Sequence, residues 1–317
     1  MKVFRGIPAQ ADVPVALTIG NFDGVHLGHR AMISRLSKIA DERGLPAAVM
    51  TFEPQPQEFF APDQAPARLT SLREKLEFLR GCEVDRAYVC RFDFRFAQIE
   101  AEQFISRILR DALDAKWILV GDDFRFGARR AGNFELLKAQ APRIGFDVEA
   151  MSSVVADGKR VSSTAVRAAL ENGNLAGAAR LLGRCYSISG RVIHGDKLGA
   201  KLGYPTANVR LNRLKAPLVG IFVVEVPGLA SLPVPGVASL GVRPTVTDQG
   251  YQTLEVHLFD FDRDIYGKRI EVRFLSKIRE EKKFASIEAM VAQMDKDAAA
   301  AREYFSSPAN SAGGRSS

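Results

Sequence analysis

The chain has few cysteines and histidines, and signs of secretion or membrane insertion are missing from it. Its three cysteines, Cys82, Cys90 and Cys185, lack the paired spacing of a zinc or redox motif, so we expect reduced thiols. No stretch of about 18 or more apolar residues occurs, so no transmembrane helix is predicted. The first residues carry no apolar run typical of a secretion signal. Together these absences predict a cytoplasmic protein that does not act on a membrane.

Two common nucleotide-binding signatures are also absent. Neither GxxxxGK(S/T) nor GxGxxG occurs in the sequence, which argues against a P-loop and against the usual dinucleotide-binding fold. A formal net charge of +7 could serve nucleic acid or small anionic ligands, but no run of five or more Lys and Arg residues concentrates it. We therefore expect small phosphorylated ligands as partners rather than nucleic acid. The sequence does not indicate an oligomeric state.

The first half of the chain alternates strand-like and helical segments. Apolar strands are predicted at 14–20, 47–52, 86–92, 116–121 and 146–155, with helical segments between them. This rhythm predicts an α/β fold in which a Rossmann-like parallel sheet is covered by helices on both faces. Two short helices, broken at 172–174, are expected to follow.

The second half changes its pattern to all-β. Six strand candidates follow residue 183 without intervening helices, which predicts a small six-stranded antiparallel barrel. A carboxyl-terminal helix is expected to plug it; its apolar positions are Ile287, Val291, Met294, Ala298 and Phe305. We predict domains at 1–183 and 184–306, and a small, polar, disordered tail at 307–317. The length of 317 residues suffices for two such cores.

Unusual residues collect where the first strand ends. In an open parallel sheet, ligands bind beyond the carboxyl ends of the strands. His26 and His29 lie one helical turn apart there and could bind a triphosphate and its leaving pyrophosphate. Zinc is the alternative, but the other two histidines, His194 and His257, lie in the second half. Around the pair, the candidate ATP-binding residues are Gly20, Phe22, Gly24 and Gly28.

Three further strand ends carry polar or Pro-rich segments. Residues 50–56, MTFEPQP, form a Pro-rich loop, and Asp123 in the turn VGDDFRFG could hold a ribose hydroxyl or help to place magnesium. A plain turn carboxylate is the alternative for Asp123. In VSSTAVR, hydroxyls and amides open a helix and Arg167 follows one turn later, in reach of phosphate. The candidate residues of that motif are Ser162, Ser163, Thr164 and Arg167.

The second half carries a glycine-rich segment and an alternating strand. HGDKLGAKLGYPTAN, at 194–208, predicts a flap whose amides close over phosphates, and Thr206 and Asn208 offer neutral oxygens to Mg²⁺. Its other candidate ATP- or flavin-binding residues are Gly195, Lys197, Gly199, Lys201, Gly203 and Pro205. In LEVHL, at 254–258, strand alternation places Glu255 and His257 on one face and the apolar residues on the other.

These motifs together resemble the bacterial bifunctional riboflavin kinase/FAD synthetase family, over roughly residues 14 to 305. GNFDGVHLGHR is similar to the HxGH signature of nucleotidyltransferases, and GYPTAN and LEVHLFDF resemble the riboflavin kinase half. The resemblance implies ATP-dependent phosphorylation of riboflavin to FMN, then adenylylation of FMN to FAD with release of pyrophosphate, both with Mg²⁺. It implies that Glu255 is the general base of the kinase, and that Arg243 and Arg279 bind ATP or flavin.

Two positions depart from the family pattern, and three alternatives stay open. Ala200 stands where many relatives have Arg, for which Lys197 or Lys201 could substitute, and Phe222 replaces a frequent Tyr. One alternative is an adenylyltransferase with a weak kinase. Another is a regulatory or nucleic-acid-binding protein. A third is a different HxGH enzyme, such as a nicotinamide-mononucleotide adenylyltransferase, which would not explain the barrel.

Overall fold

The computed structural model describes residues 1–195, 202–213, 215–243 and 251–307, with the backbone alone at 242, 243 and 251. Its contacts divide the chain into two compact units. Unit 1 is Met1–Pro66 with Leu72–Ser163, and unit 2 is Ala67–Ser71 with the chain from Thr164 onward. This division falls earlier than the predicted boundary at residue 183, because the two helices before that point bury their apolar side chains in the core of unit 2.

Unit 1 contains a six-stranded sheet in which every neighbouring pair is parallel. The side-by-side order is β1-β4-β3-β2-β5-β6. Five of the strands confirm the prediction. The short edge strand β1 was not predicted, because its four residues, KVFR, lack an apolar run. The strands are β1 (Lys2–Arg5), β2 (Val15–Ile19), β3 (Ala47–Glu53), β4 (Arg86–Arg91), β5 (Ala115–Gly121) and β6 (Asp147–Met151).

Helices cover both faces of this sheet, as predicted. Along β2, Val15, Leu17 and Ile19 join one buried core, whereas Ala16 joins another, so alternate side chains meet different helical layers. The helices are α1 (Leu27–Arg43), α2 (Pro56–Phe60), α3 (Leu72–Arg80), α4 (Phe94–Ala97), α5 (Ala101–Gln103), which continues as the π-helical segment Phe104–Ala112, and α6 (Phe134–Ile144). A small hairpin, β7 (Val155–Ala156) and β8 (Lys159–Arg160), follows the sheet.

Unit 2 is a closed antiparallel barrel preceded by two short helices. The barrel order is β10-β13-β12-β11-β14-β9, and all six predicted strands are confirmed. The two helices, α7 (Ser163–Glu171) and α8 (Leu175–Leu182), break where predicted, and Asn174 caps the second of them. The strands are β9 (Tyr186–Ile193), β10 (Ala207–Val209), β11 (Gly220–Val226), β12 (Val234–Arg243), β13 (Tyr251–Leu258) and β14 (Arg269–Arg279).

The last helix, α9 (Ile287–Ser306), covers the outside of the barrel. Phe222 and Val224 of β11 point into the main core of unit 2, whereas Val223 between them points the other way. Ala301 of α9 packs with Val223 in a separate small cluster. The prediction that this helix plugs the barrel is therefore wrong, because the interior is already filled by strand side chains.

Candidate functional sites

The loop after β2 is strained and buried. Phe22 and Val25 have φ angles of 50° and 39°, a region that favours glycine, and each is 1% exposed. Such a conformation costs about 1–3 kcal/mol per residue and persists only where packing fixes it. At Gly20 a Cβ would lie 3.2 Å from the ring of Phe22, so the strand end and the loop fit closely. Strain of this kind collects at functional sites, which makes the loop a candidate site.

His26 and His29 stand together where α1 begins. His26 is the N-cap residue, and its Nδ1 accepts a hydrogen bond from the backbone N–H of His29 at 3.3 Å. The two imidazole rings stack with centroids 3.7 Å apart, and the ring of His29 lies 5.0 Å from that of Phe22. A helix start offers free N–H groups and the positive end of a dipole. The pair and the helix start therefore form a geometry suited to a phosphate anion.

The serine motif lies against this same loop, although the two are far apart in sequence. Ser163 Oγ donates a hydrogen bond to the carbonyl oxygen of Asp23 at 2.9 Å, and Asp23 is 2% exposed. Gly28 permits the close approach, since a Cβ there would lie 3.2 Å from His26 Cε1 and 3.5 Å from the carbonyl oxygen of Val161. The structure thus brings two separately predicted motifs together.

The other members of the serine motif have different surroundings. Ser162 is half-buried and Thr164 is exposed. Arg167 donates from Nε to the carbonyl oxygen of Ala67 at 2.6 Å, within unit 2. Contact of Arg167 with phosphate stays a prediction.

Asp123 lies in the exposed turn after β5 and is paired with an arginine. Arg160 Nη2 is 2.6 Å from Asp123 Oδ2 and 3.8 Å from Asp122 Oδ1. The neighbouring Asp122 also accepts from the backbone N–H and the hydroxyl of Ser153, both at 3.3 Å. Arg160 was missed by the sequence analysis, because nothing in its local pattern distinguishes it from other surface arginines. Its position just before the serine motif was the only available signal.

Five rings form what we call the phenylalanine cluster: Phe52, Phe59, Phe60, Phe92 and Phe96. Their neighbouring centroids lie 5.2 to 5.8 Å apart in tilted or edge-to-face arrangements, the geometry that aromatic pairs prefer. Phe60 is 67% exposed. Of these five residues, only Phe52 belongs to the Pro-rich segment 50–56 that the sequence singled out. The other members come from separate segments, so the sequence analysis missed them.

In unit 2, Asn208 and Glu255 are cross-strand neighbours. Strand β10 pairs with β13 in the register Asn208↔Glu255. Leu254 and Val256 are buried, at 1% and 0% exposed, whereas Glu255 between them is partly exposed. This confirms the predicted alternation of the strand. The side chains of Asn208 and Glu255 therefore share the outer face of the barrel.

Gly195 packs directly against Asn208. A Cβ at Gly195 would lie 2.3 Å from Nδ2 of Asn208, so any other residue would displace the amide. Gly203, nearer the strand, has a φ of 83°, which also favours glycine. Close packing and backbone conformation thus explain why glycine stands at these two positions of the predicted flap, besides any role toward phosphate.

A small network, which we call the tyrosine brace, holds the segment before β10: Tyr204, His257 and Asp295. The hydroxyl of Tyr204 donates to Asp295 Oδ1 on α9, and its ring meets that of His257 edge-on, with centroids 5.0 Å apart. Nδ1 of His257 lies 2.9 Å from the carbonyl oxygen of Pro205. Burial, with a further contribution from Asp295, raises the pKa of Tyr204 to about 12, so its hydroxyl stays a donor at neutral pH.

A pocket of about 480 Å³ opens beside Thr206. Its walls include buried side chains of the barrel, among them Val192 and Leu258. Its rim is the segment Phe261–Tyr266, FDRDIY, and His194 lies against Tyr266 with ring centroids 4.0 Å apart. The volume suits a nucleotide-sized ligand. The sequence analysis named no site residue in this rim, because its turn residues carry no periodic signal.

Arg279 is held by a buried carboxylate. Its Nη2 lies 2.6 Å from Asp297 Oδ2 on α9, and Asp297 is 4% exposed. Gln293 Nε2 donates to the same carboxylate at 2.9 Å. The predicted ligand-binding role of Arg279 stays a prediction, and the structure gives it a structural partner that the sequence did not indicate.

Several predicted positions lie outside the described residues. They are Lys197, Gly199, Lys201 and the departure Ala200, together with the side chain of Arg243. The other departure, Phe222, is 0% exposed in the barrel core, with its ring 5.3 Å from that of Phe274. Within the described ranges, no group of three or more His, Cys, Asp and Glu side chains could hold a metal ion. Among the helices described, none is long and apolar enough to cross a membrane.

Known proteins match both halves of the chain. A family model described as FAD synthetase matches residues 9–165, and one described as riboflavin kinase matches residues 182–305. A relative named bifunctional riboflavin kinase/FMN adenylyltransferase, from Escherichia coli (strain K12), is 51% identical over 308 residues, which cover 96% of this chain and 98% of the relative. A relative of the same name from Haemophilus influenzae is 48% identical, covering 97% of this chain and 100% of its own.

A solved structure also matches nearly the whole chain. It is described as a macrolide-efflux protein from Streptococcus pneumoniae, is 30% identical, and superposes with a TM-score of 0.80. The match covers 96% of this chain and 100% of that one. The two proteins share their fold.

Proposed function

The chain belongs to the bifunctional riboflavin kinase/FMN adenylyltransferase family, and from that premise we propose which residues carry each reaction. It phosphorylates riboflavin to FMN with ATP, and adenylylates FMN to FAD with a second ATP. The FAD synthetase match ends at residue 165 and the riboflavin kinase match begins at 182. We assign adenylylation to the domain 1–183 and phosphorylation to the domain 184–306.

In adenylylation, a phosphate oxygen of FMN attacks the α-phosphorus of ATP, and pyrophosphate leaves. The substrate brings its own nucleophile, so the protein need only orient the two phosphates and stabilise the charge that develops. His26 and His29 would donate hydrogen bonds to the phosphates that become pyrophosphate. Their stacked rings at the start of a 17-residue helix support this role.

The remaining contacts to this ATP come from the loop and the turns around it. The glycines at 20, 24 and 28 let the phosphates approach the backbone, with Phe22 beneath them. Asp123 would accept from a ribose hydroxyl, oriented by Arg160 at 2.6 Å. The hydroxyls of 162–164 and the guanidinium of Arg167 would bind phosphate oxygens. Ser163, hydrogen-bonded to the loop, supports this arrangement.

The flavin ring of FMN would lie against the phenylalanine cluster. An isoalloxazine is a flat, largely apolar ring system, and rings with exposed faces or edges are its natural partners. Phe60, 67% exposed at the margin of the cluster, offers such a surface. The phosphate of FMN would then point toward the helix start.

In the kinase domain, Glu255 would accept the proton of the riboflavin 5′-hydroxyl while that oxygen attacks the γ-phosphorus of ATP. The nucleotide would occupy the pocket beside Thr206, with the flap glycines and lysines of 194–203 over its phosphates. Arg243 and Arg279 would bind on the flavin side. Asn208, paired opposite Glu255 in the strand ladder, supports the assignment, because its side chain shares the outer face of the barrel with the base.

The donor set of the kinase site fits a magnesium ion. Mg²⁺ takes oxygen ligands and usually keeps one or two protein ligands, with phosphates and waters as the rest. Thr206 and Asn208 would supply those two oxygens, both neutral, next to the carboxylate of Glu255. Bound there, the ion would neutralise charge on the transferred phosphoryl group.

The setting we propose is the cytoplasm, with ATP, riboflavin and FMN as partners. Cys82, Cys90 and Cys185 are all free thiols, which suits a reducing compartment. Burial raises the pKa of Cys90 to about 12, so that thiol has no nucleophilic role at neutral pH.

The observation that carries this proposal is that each unit has a candidate site of its own: the stacked histidine pair at a helix start in one, and Asn208 facing Glu255 in the other. The test is chromatography of the flavins formed from riboflavin, ATP and Mg²⁺. We expect FMN to appear first and FAD to follow. FAD from added FMN, without FMN from riboflavin, would instead support an adenylyltransferase with a weak kinase.

A variant separates the two sites. His29→Ala should lower FAD formation from FMN by about a hundredfold or more, and leave FMN formation from riboflavin unchanged. Ser34→Ala, at an exposed position of the same helix, is the matched control and should retain both rates. Equal loss of both activities in His29→Ala would contradict the two-site assignment.

A further inference from the structure

Lys75 on α3 has no exposed surface, although its side chain ends in an ionisable amine. Lysine is almost never fully buried unless it is paired, because removing an ammonium from water costs several kcal/mol. None of the roles proposed for the adenylylation site falls to this residue. The contacts of its ammonium group therefore indicate what it does.

The amine of Lys75 is connected, through the hydroxyl of one residue, to the loop after β2. Lys75 Nζ donates to Thr51 Oγ1 at 3.2 Å, and Thr51 at the end of β3 is itself 0% exposed. Thr51 Oγ1 in turn donates to the carbonyl oxygen of Asn21 at 3.1 Å. With its hydrogen used in that bond, the hydroxyl has only lone pairs to offer Lys75, so the direction of both bonds is fixed.

The carbonyl of Asn21 lies just beyond a backbone hydrogen bond that joins the ends of β2 and β3. In that bond the N–H of Gly20 donates to the carbonyl oxygen of Met50 at 3.0 Å. The next residue, Phe22, has the positive φ of 50°, and its ring lies 5.0 Å from that of His29. A shift of the Asn21 carbonyl would thus move the strained turn on which His29 rests.

We propose that Lys75, acting through Thr51, is a positioning residue for FMN adenylylation: it fixes the Asn21–Phe22 turn and thereby the ring of His29. The inference rests on the proposed role of His29. Neither Lys75 nor Thr51 touches substrate, since both side chains are fully buried. Their effect is on the turnover of bound substrate rather than on its binding.

Lys75→Met tests this role, because methionine has nearly the same shape as lysine but cannot donate a hydrogen bond. Removing one partner of a buried polar contact can also cost stability, so the rate has to be measured well below the melting temperature of the variant. Loss of turnover there, with the KM values kept, is the result that distinguishes positioning from support of the fold.

The experiment uses the full chain with four single variants and one double variant. Lys75→Met removes the donor, Thr51→Val removes the hydroxyl, and Thr51→Ser keeps it. Lys138→Met, at an exposed lysine of the same unit, is the control for charge removal. The turnover number for FAD formation, the KM values for FMN and ATP, FMN formation from riboflavin, and the melting temperature are measured for each.

We expect Lys75→Met and Thr51→Val to lower the turnover number for FAD by about tenfold to a hundredfold, with KM values within about twofold of wild type. FMN formation, measured at the same temperature, should not fall. Thr51→Ser and Lys138→Met should behave as wild type. The double variant of Lys75→Met and Thr51→Val should have a turnover number no lower than that of the more impaired single variant. The reason is that both residues are proposed to act on the turn through Thr51.

Three results would overturn the inference. They are a wild-type turnover number in Lys75→Met, equal rates in Thr51→Val and Thr51→Ser, or a parallel fall of both activities together with the melting temperature. The fate of the proposed function is read separately, from His29→Ala. If that variant keeps its rate, the role of His29 fails and this inference falls with it. If it loses its rate while Lys75→Met does not, only this inference fails.

Discussion

Asn208 and Glu255 face each other across the β10–β13 ladder, so a candidate metal ligand and the candidate base share one face of the barrel. Directly opposed residues in such a ladder have Cβ atoms about 4.5–5.5 Å apart. Ser239 of β12 flanks Glu255 on its other side, so the base stands in the middle of three paired strands. Backbone pairing, rather than a flexible loop, therefore sets the distance between the base and Asn208.

Glu255→Gln should abolish most of the kinase activity. Glutamine keeps the shape of the side chain but cannot accept a proton, so FMN formation should fall by about 10²- to 10⁴-fold. The KM for riboflavin should change little. FAD formation from added FMN should be unchanged. Chromatography that separates FMN from FAD measures both activities in the same sample.

Glu271→Gln is the matched control for that variant. Glu271 is a half-buried glutamate of β14 in the same barrel, paired with Arg273 at 3.4 Å. It should retain both activities. If Glu255→Gln forms FMN at the wild-type rate, or if Glu271→Gln loses as much FMN formation as Glu255→Gln, Glu255 is not the general base.

The tyrosine brace should affect the binding of nucleotide more than turnover. Tyr204→Phe removes the hydroxyl that ties the segment bearing Thr206 to α9, and the segment then has more conformations to lose when ATP binds. We expect the KM for ATP with Mg²⁺ to rise by about tenfold, with a smaller change in the turnover number for FMN. FAD formation should be unaffected. Steady-state kinetics over a range of ATP and Mg²⁺ concentrations measures this.

Variants of the partner identify the bond responsible. Asp295→Ala should match Tyr204→Phe, and the two together should add little, whereas Asp295→Asn keeps an acceptor and should stay close to wild type. Because the pKa of Tyr204 is raised to about 12, the hydrogen bond is present at neutral pH and is lost only as pH rises through that value. Additive effects of the two variants would show that the residues act independently.

Much of the fold follows from local pattern, and the failures have identifiable causes. The alternation around Glu255 gave its face correctly, because a period of two survives in any half-buried strand. The edge strand at 2–5 was missed since it needs no apolar run to pair. The position of α9 was misjudged because the spacing of its apolar residues identifies a helix but not the surface it covers, and Ile287, one of those residues, is 55% exposed.

The site residues that could be predicted from the sequence are those that lie close together along the chain. The segments bearing His26, His29 and Glu255 were found because their residues are close in sequence. Arg160 was missed because it meets Asp123 from 37 residues away. Lys75 was missed for the same reason, since the hydroxyl it contacts is 24 residues earlier. Contacts between distant segments depend on sheet order and register, which local sequence does not encode.

The phenylalanine cluster predicts a flavin-specific effect. Phe60→Ala should raise the KM for FMN in FAD formation by about tenfold, because an exposed aromatic partner of the flavin ring is removed. The KM for ATP in the same reaction should not change. Phe94→Ala is the matched control, since Phe94 is 66% exposed on the neighbouring helix α4 and should be dispensable. A similar KM for FMN in Phe60→Ala and Phe94→Ala would show that the phenylalanine cluster does not bind the flavin ring.

Asp297 predicts a loss of stability confined to unit 2. Asp297→Ala would leave the guanidinium of Arg279, 20% exposed, without its counter-ion, and breaking a buried pair in this way costs about 3–5 kcal/mol. The full chain should therefore lose FMN formation on heating at a lower temperature than wild type, while FAD formation survives as before. Replacing both partners by apolar residues, Arg279→Met with Asp297→Leu, should recover much of the lost thermal stability. That variant is followed by its melting temperature, because Arg279 also has a proposed role in flavin binding.

The exposed ion pair between Arg302, on the same helix, and Asp260, in the turn after β13, supplies the control. Its nitrogen and oxygen are 2.9 Å apart, but the side chains are 52% and 78% exposed, so water replaces the lost partner readily. Asp260→Asn should leave the inactivation temperature of FMN formation unchanged. If Asp297→Ala also inactivates at the wild-type temperature, the carboxylate is not what secures α9 to the barrel. The apolar contacts of Ala301 and Val223 would then be sufficient for that attachment.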